Sequence, residues 1–153
     1  MLIEDTQSIK KILTSYKTIA VVGLSGNWNR PSHFAAKYMQ EHGYRIIPVN
    51  PSYEEILGEV CYNSLLDIPE SVEIVDIFRR PEDVPPIVED AITIGARVVW
   101  MQLGVINHEA AERAQEAGLQ VVMNRCVKIE YGRIFGGINF LGVNRRIISS
   151  KKS

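Results

Sequence analysis

Short apolar runs alternate with amphipathic segments along this chain. Each run is rich in Val and Ile and is bounded by polar residues or glycine, which is typical of a buried strand. The predicted strands are residues 19–23, 45–49, 72–78, 97–102 and 119–123. Helical patterns separate most of these runs, so we expect parallel pairing through right-handed crossovers.

The segments between the runs carry apolar residues at helical spacing. The predicted helices are residues 5–16, 31–42, 81–94 and 108–117. Asp5 and Asn107 stand at capping positions of two of them. Residues 51–69 contain only a short helical piece, at residues 53–57, and are interpreted as a longer connection.

These elements predict one α/β domain over residues 1–153, with a Rossmann-like, doubly wound parallel sheet of about five strands. A leading helix (residues 5–16) and a tail (residues 132–153) flank the repeating part. Such sheets bind ligands beyond the carboxyl ends of their strands. Candidate binding residues therefore lie in the loops at 24–30, 50–53, 78–81 and 102–105.

The composition and charge of the chain argue against a nucleic-acid-binding protein and against a membrane protein. The net charge of the 153 residues is −1 and 46% of them are hydrophobic, so we expect one packed core and no broad basic surface for nucleic acid or a membrane. No apolar run is long enough to span a bilayer, and the first residues lack a signal-peptide pattern. Cys61 and Cys126 lack metal-ligand spacing, which favours a reduced, cytoplasmic protein.

The loop after the first strand has the sequence VVGLSGNWNRPS. A strand, a glycine loop and a helix N-terminus together are typical of phosphate binding. The loop lacks the third glycine of the GxGxxG fingerprint and the GK[ST] of a P-loop, and Val49-Asn50-Pro51 supplies no acid for a ribose diol. This pattern disfavours NAD and is compatible with an adenosine that carries a 3′-phosphate. A plain tight turn is the alternative.

Four segments in order carry a family resemblance. They are VVGLSGNWNRPS, VNP at 49–51, SLLDIPESVEIVDIFRRPEDVP at 64–85 and GARVVWMQLGVINHEAAERAQEAGLQVVMNRCVKIEYGR at 95–133. Together they resemble the CoA-binding domain proteins, which are Rossmann-like domains related to the CoA-binding domain of the succinyl-CoA synthetase α subunit. The resemblance implies that the ligand is coenzyme A or an acyl-CoA.

The resemblance also implies which residues contact that ligand. The pyrophosphate would meet Gly23, Leu24, Ser25, Gly26, Asn27, Arg30 and Ser32. The adenosine would lie near Val49, Asn50, Pro51 and Tyr53, with Phe78 and Pro81 as apolar walls, and the pantetheine arm near Gln102, Leu103 and Gly104. Many relatives have a lysine after VNP that can meet the 3′-phosphate. Here Ser52 follows, and Arg79 or Arg80 is the candidate replacement.

Simpler roles stay open for several of these residues. Arg30 could be a solvent-exposed loop residue, and Ser32 could make only a local bond in the first helical turn. Tyr53 and Phe78 could belong to the core. One of the two arginines at 79 and 80 could be a solvated residue at the start of a helix.

No catalytic group stands out. The three histidines, His33, His42 and His108, are expected at the surface or in packing, and no metal site is predicted. Acidic residues such as Asp76 are explained by turns, strand ends and first helical turns. Cys126 is interpreted as a buried structural cysteine, with a thiol that meets the CoA sulfhydryl as the alternative. Cys61 is interpreted as a small core residue.

The leading hypothesis is a CoA or acyl-CoA binding protein without a complete catalytic site. The alternative is an acyl-CoA- or nucleotide-dependent transferase or ligase subunit that needs a partner for catalysis. A third hypothesis is an interaction subunit that docks through Arg145-Arg146 in the tail. A homo-oligomer and an assembly with a partner subunit both stay open.

Overall fold

The computed structural model describes residues 2–136. Its elements in chain order are α1 (Thr6–Ser15), β1 (Thr18–Val22), α2 (Pro31–Glu41), β2 (Arg45–Val49), β3 (Glu55–Ile56), β4 (Glu59–Val60), a 3₁₀ turn (Leu65–Asp67), β5 (Ile74–Ile77), a second 3₁₀ turn (Pro81–Asp83), α3 (Val84–Thr93), β6 (Val98–Met101), α4 (His108–Glu116), β7 (Gln120–Met123) and α5 (Val127–Phe135). The cap predicted at Asp5 is present, since its carboxylate accepts the Ser8 N–H at 2.9 Å.

The main sheet has five parallel strands in the order β2-β1-β5-β6-β7. All five strands predicted from the apolar runs are confirmed. The chain passes from β1 outward to β2 and then crosses to β5 on the other side of β1. The topological switch point therefore lies between β1 and β5, where a doubly wound sheet opens a crevice for ligands.

Helices cover both faces of this sheet, because alternate residues of each strand point to opposite sides. Ile19 and Val21 of β1 pack with the buried residues of α1, α2 and α5. Ala20 and Val22 pack with those of α3 and α4. The predicted doubly wound, Rossmann-like fold is confirmed.

The helical piece predicted at residues 53–57 is wrong. Strands β3 and β4 pair there as an antiparallel hairpin. Leu57 and Gly58 form its turn with φ angles of 56° and 77°. Two successive left-handed residues are what a two-residue hairpin turn requires, and they cannot continue a helix.

Helix α5 was not predicted. Its apolar pattern is weak because Gly132 interrupts it and because Glu130, 6% exposed, occupies a buried position. Glu130 is held there by the Arg133 guanidinium at 2.6 Å. The predicted tail thus begins inside a helix, and residues 137–153, with Arg145-Arg146, lie outside the described residues.

Candidate functional site

A groove of about 930 Å³ opens at the switch point, beyond the carboxyl ends of β1, β5 and β6. It is lined by Gly23, Ser25, Arg30, Pro31, Ser32, Phe78, Arg79, Arg80, Pro81, Asp83, Gln102, Leu103, Gly104, Val105, Cys126 and Ile129. Three of the four loops selected from the sequence meet here. The fourth, at 50–53, lies beside the groove and contributes no lining residue.

The loop after β1 is held against two neighbouring elements. Gly23 has a φ of +89°, and a Cβ at this position would stand 2.3 Å from the Phe78 carbonyl oxygen. The Gly23 N–H donates to the Val49 carbonyl at 2.9 Å. Only glycine allows this approach, which brings the loops after β1 and β5 into contact.

Ser25 and Ser32 fasten the same loop to α2. The Ser25 N–H donates to Ser32 Oγ at 3.0 Å, and the Asn27 N–H donates to Ser25 Oγ at 3.0 Å. His33 Nδ1 lies 2.9 Å from the Ser25 carbonyl oxygen, in agreement with the packing role expected for this histidine. The backbone donors expected to meet a pyrophosphate at Ser25 and Asn27 are therefore engaged within the loop.

Arg30 stands where α2 begins. It is the N-cap residue of that helix, with φ −91° and ψ 145°, and Pro31 follows in the first helical turn. Its side chain is exposed and lines the groove. The positive end of the helix dipole and a guanidinium charge thus face the same cavity.

Several predicted contacts lie outside the groove lining. Leu24 and Val49 are buried in the core, at 0% and 3% exposure. Asn50 Nδ2 donates to the Leu24 carbonyl at 3.1 Å. The Tyr53 ring lies on Gly26, where a Cβ would meet its Cε1 at 2.6 Å. The others outside the lining are Gly26 itself, Asn27 and Pro51.

The loop after β5 brings a cluster of charged side chains to the groove. Arg79 Nη2 and Arg80 Nε each lie 3.1 Å from Asp83 Oδ2, and Arg80 Nη2 lies 3.3 Å from Oδ1. The Arg80 guanidinium, with help from Arg79, holds the pKa of Asp83 below its usual value. Acidic residues, Asp83 among them, were explained from the sequence by turns, strand ends and first helical turns, so the place of Asp83 beside both arginines was missed. Phe78 is half-buried: it packs partly on the core and also lines the groove.

A buried polar chain lies behind the groove. Asp76, 1% exposed, accepts a hydrogen bond from Gln102 Nε2, and Gln102 Oε1 accepts one from the Val127 N–H at 3.4 Å. Burial raises the pKa of Asp76 to about 7, against a lowering effect of the Gln102 hydrogen bond. Asp76 is the third of the four residues of β5, and its burial was not predicted from the sequence.

The start of α5 brings Cys126 and Ile129 to the groove. Of these two, only Ile129 was not considered from the sequence. The expected burial of Cys126 is wrong. The residue is only partly buried and precedes the first turn of α5. By contrast Cys61 is buried, and burial raises its thiol pKa. The sequence does contain a weak indication of α5, since Val127, Tyr131 and Ile134 are spaced as on one face of a helix.

Two kinds of feature are absent from residues 2–136. In that part of the chain, no group of three or more His, Cys, Asp or Glu side chains is placed to hold a metal ion. No helix within the same residues is long and apolar enough to cross a membrane. His42 and His108 are exposed, as expected.

Comparison with known proteins agrees with the geometry. A family model described as a CoA binding domain matches residues 17–132. The chain belongs to this family. The uncharacterized protein YneT of Bacillus subtilis is 44% identical over 123 residues, which cover 80% of this chain and 91% of that protein. A solved hypothetical protein from Pyrococcus horikoshii OT3 is 48% identical, with a TM-score of 0.85 over 87% of this chain and 94% of that one.

One further relative is much longer than this chain. Acetate–CoA ligase [ADP-forming] I of Archaeoglobus fulgidus is 29% identical over 121 residues. The match covers 72% of this chain but only 18% of the ligase. The chain is thus similar to one part of that enzyme.

Proposed function

We propose that this chain binds coenzyme A or an acyl-CoA in the groove at the switch point. The observation that carries the proposal is that the groove lining has a charged part and an uncharged part. Arg30, Arg79 and Arg80 come from the loops after β1 and β5, while Leu103, Val105 and Ile129 come from the loop after β6 and from α5. Coenzyme A has the same division, with phosphates at one end and a long uncharged arm at the other.

The phosphates would be met mainly by side chains. Because the N–H groups of Gly23, Ser25 and Asn27 donate to internal acceptors, the Ser25 hydroxyl and the Arg30 guanidinium are the better donors to a pyrophosphate. The N-terminus of α2 adds a favourable dipole. Arg79 is the candidate for the 3′-phosphate, since its side chain crosses the loop after β1 above Gly23.

The adenosine and the pantetheine arm would contact the other residues that line the groove. Phe78 and Pro81 offer apolar surfaces for the adenine, and the arm would pass Gln102, Leu103 and Gly104 toward Cys126. The buried residues Leu24 and Val49 would support this site without touching the ligand. Asn50 would act through its hydrogen bond to the loop carbonyl.

Calorimetric titration with coenzyme A, 3′-dephospho-CoA, NAD and ATP tests this proposal. We expect saturable binding of coenzyme A, weaker binding of 3′-dephospho-CoA, and the weakest binding of NAD. Binding of NAD together with no binding of coenzyme A at ligand concentrations up to about a millimolar (about −4 kcal/mol) would contradict it.

Replacing Arg30 and Arg79 together with alanine is expected to weaken coenzyme A binding about 10- to 100-fold. Each charge-assisted hydrogen bond contributes on the order of 1.5–3 kcal/mol when formed, and solvent at the groove rim reduces that contribution. The matched control is the double variant Arg97→Ala plus Arg113→Ala, which removes the same charge away from the groove. Equal losses in both variants would mean that only net charge matters.

The match with the Archaeoglobus ligase supports a second candidate. The chain would then present an acyl-CoA to a partner that supplies the catalytic groups. Turnover of an acyl-CoA by the purified chain alone would show catalytic groups within it. Cys126→Ser, at the groove, combined with His33→Ala, beside the loop after β1, would then test these two side chains. Unchanged turnover would remove both from the mechanism.

A further inference from the structure

Asp83 is placed unusually for an acid at the start of a helix. It is the N-cap residue of α3, yet its side chain makes no capping hydrogen bond to that helix. Its carboxylate instead points to the arginines of the loop after β5, and it lines the groove. Asp83 also ends the 3₁₀ turn Pro81–Asp83, where the helix dipole favours an acid. No capping hydrogen bond sets the direction of its carboxylate, however.

The carboxylate binds both arginines at once. Oδ2 lies 3.1 Å from Arg79 Nη2 and 3.1 Å from Arg80 Nε, and Oδ1 lies 3.3 Å from Arg80 Nη2. A tetrahedral phosphate presents oxygens at similar spacing and carries more charge, about −1.5 to −2 near pH 7. The Asp83 carboxylate thus occupies the kind of position that a phosphate monoester would take between two guanidinium groups.

Arg79 is the arginine able to change partners. Arg80 makes two hydrogen bonds to Asp83 and lies near Glu82 as well, with Nη1 3.9 Å from Oε2. Arg79 makes a single bond to Asp83, and its Cδ stands over Gly23 at the centre of the switch point. Turning its guanidinium toward the cavity breaks one contact and leaves the Arg80–Asp83 pair intact.

We propose that Asp83 is an internal competitor for the ligand's phosphate monoester: it holds Arg79 in the groove, and the phosphate displaces it from that arginine on binding. This inference rests on the proposed function and deepens it, because it assigns the 3′-phosphate to Arg79 and names a residue that limits affinity. A ligand without a phosphate monoester leaves the Arg79–Asp83 pair in place and gains nothing from this exchange.

The test compares coenzyme A and 3′-dephospho-CoA by calorimetry on four forms of the chain. They are the wild type, Asp83→Asn, Glu82→Gln and the double variant Arg79→Gln plus Asp83→Asn. Glu82→Gln is the matched control, since it removes one negative charge from the same turn and Glu82 does not line the groove. A thermal unfolding curve for each form checks that it is folded, and Asp83→Ser repeats the test with a shorter side chain.

We expect Asp83→Asn to bind coenzyme A about two- to fivefold more tightly than the wild type, the range of a surface ion pair. Glu82→Gln should change that affinity less, and 3′-dephospho-CoA should bind equally to wild type and Asp83→Asn. The gain should disappear when Arg79 is also replaced.

Three results would overturn the inference and leave coenzyme A binding established. They are an equal gain for Glu82→Gln, an equal gain for 3′-dephospho-CoA, and weaker coenzyme A binding by Asp83→Asn. If the folded wild type and Asp83→Asn both fail to bind coenzyme A, the proposed function is wrong, and this inference is wrong with it.

Discussion

Gly23→Ala is expected to lower the free energy of unfolding by about 2–5 kcal/mol. The left-handed φ of +89° costs a side chain about 1–2 kcal/mol. The added Cβ would also stand 2.3 Å from the Phe78 carbonyl oxygen, which is backbone and cannot rotate away. Overpacking of this kind adds about 1–3 kcal/mol. Urea unfolding at constant pH measures the sum.

Gly118→Ala is the matched control for that prediction. Gly118 has a similar φ of +93°, but a Cβ there would meet nothing within 4 Å. The free energy of unfolding of this variant should fall only by the cost of a left-handed φ at alanine, about 1–2 kcal/mol. The difference between the two variants isolates the contact with Phe78. Equal losses would mean that the loops after β1 and β5 separate without cost.

Gly23→Ala should also weaken ligand binding, in addition to its effect on the stability of the fold. Relief of the clash moves the loop after β1 away from Phe78 and Arg79, which widens the groove at its charged part. We therefore expect folded Gly23→Ala to bind coenzyme A at least about tenfold more weakly, the loss expected from one charge-assisted contact. Gly118→Ala, at the opposite end of the sheet, should bind normally.

Asp76→Asn is expected to remove a pH dependence from the stability of the chain. The folded pKa of Asp76 is raised from 3.8 to about 7 by burial. Between these values the unfolded state releases the proton while the folded state keeps it. The folded state thus binds more protons, so stability falls as pH rises from about 4 to about 7 and is then constant.

The total loss attributable to this carboxyl is about 4 kcal/mol, since one pKa unit corresponds to about 1.4 kcal/mol. Asparagine has nearly the shape of a protonated aspartic acid and still accepts the hydrogen bond from Gln102 Nε2. Asp76→Asn should therefore be more stable than the wild type at pH 8, by about 2–4 kcal/mol, and the advantage should shrink toward pH 5.

Urea unfolding at pH 5, 6, 7 and 8 measures this difference. The matched control is Asp67→Asn, an aspartate-to-asparagine change at an exposed position, which should follow the wild-type curve over this range. If Asp76→Asn keeps the wild-type slope, Asp76 is ionised in the folded chain at every pH tested. Its hydrogen bond to Gln102 would then be one to a carboxylate.

The elements that sequence analysis predicted well are those with a local signal. The strand and the helix on either side of the first loop follow from neighbouring residues, through Val and Ile runs and helical spacing. The hairpin turn at Leu57 was missed because a positive φ at leucine has no sequence signature. Helix α5 was missed because the residue that fills its buried face, Glu130, is charged and depends on Arg133, which satisfies that charge only in the folded chain.

For the candidate site, the sequence predicted the loops that form it but not every side chain that lines it. Residues such as Arg30 and Gln102 were chosen because they follow strands whose carboxyl ends share one edge of a parallel sheet, and both line the groove. Tyr53 satisfied the same rule, but its ring packs on Gly26 beside the groove. The rule places a loop at the correct edge, and packing then decides which of its side chains reach the cavity.

The residue pattern alone was enough to predict the five parallel strands, the helices between them and the glycine loop at the first crossover, because these depend on periodicity and turn chemistry within a few residues. The position of β1 beside β5 is set only in the folded chain, and this adjacency places Gly23 against Phe78 and Arg79. The same is true of Asp76 behind Gln102. Such contacts join residues far apart in the chain, so they form only when strand order and burial bring them together.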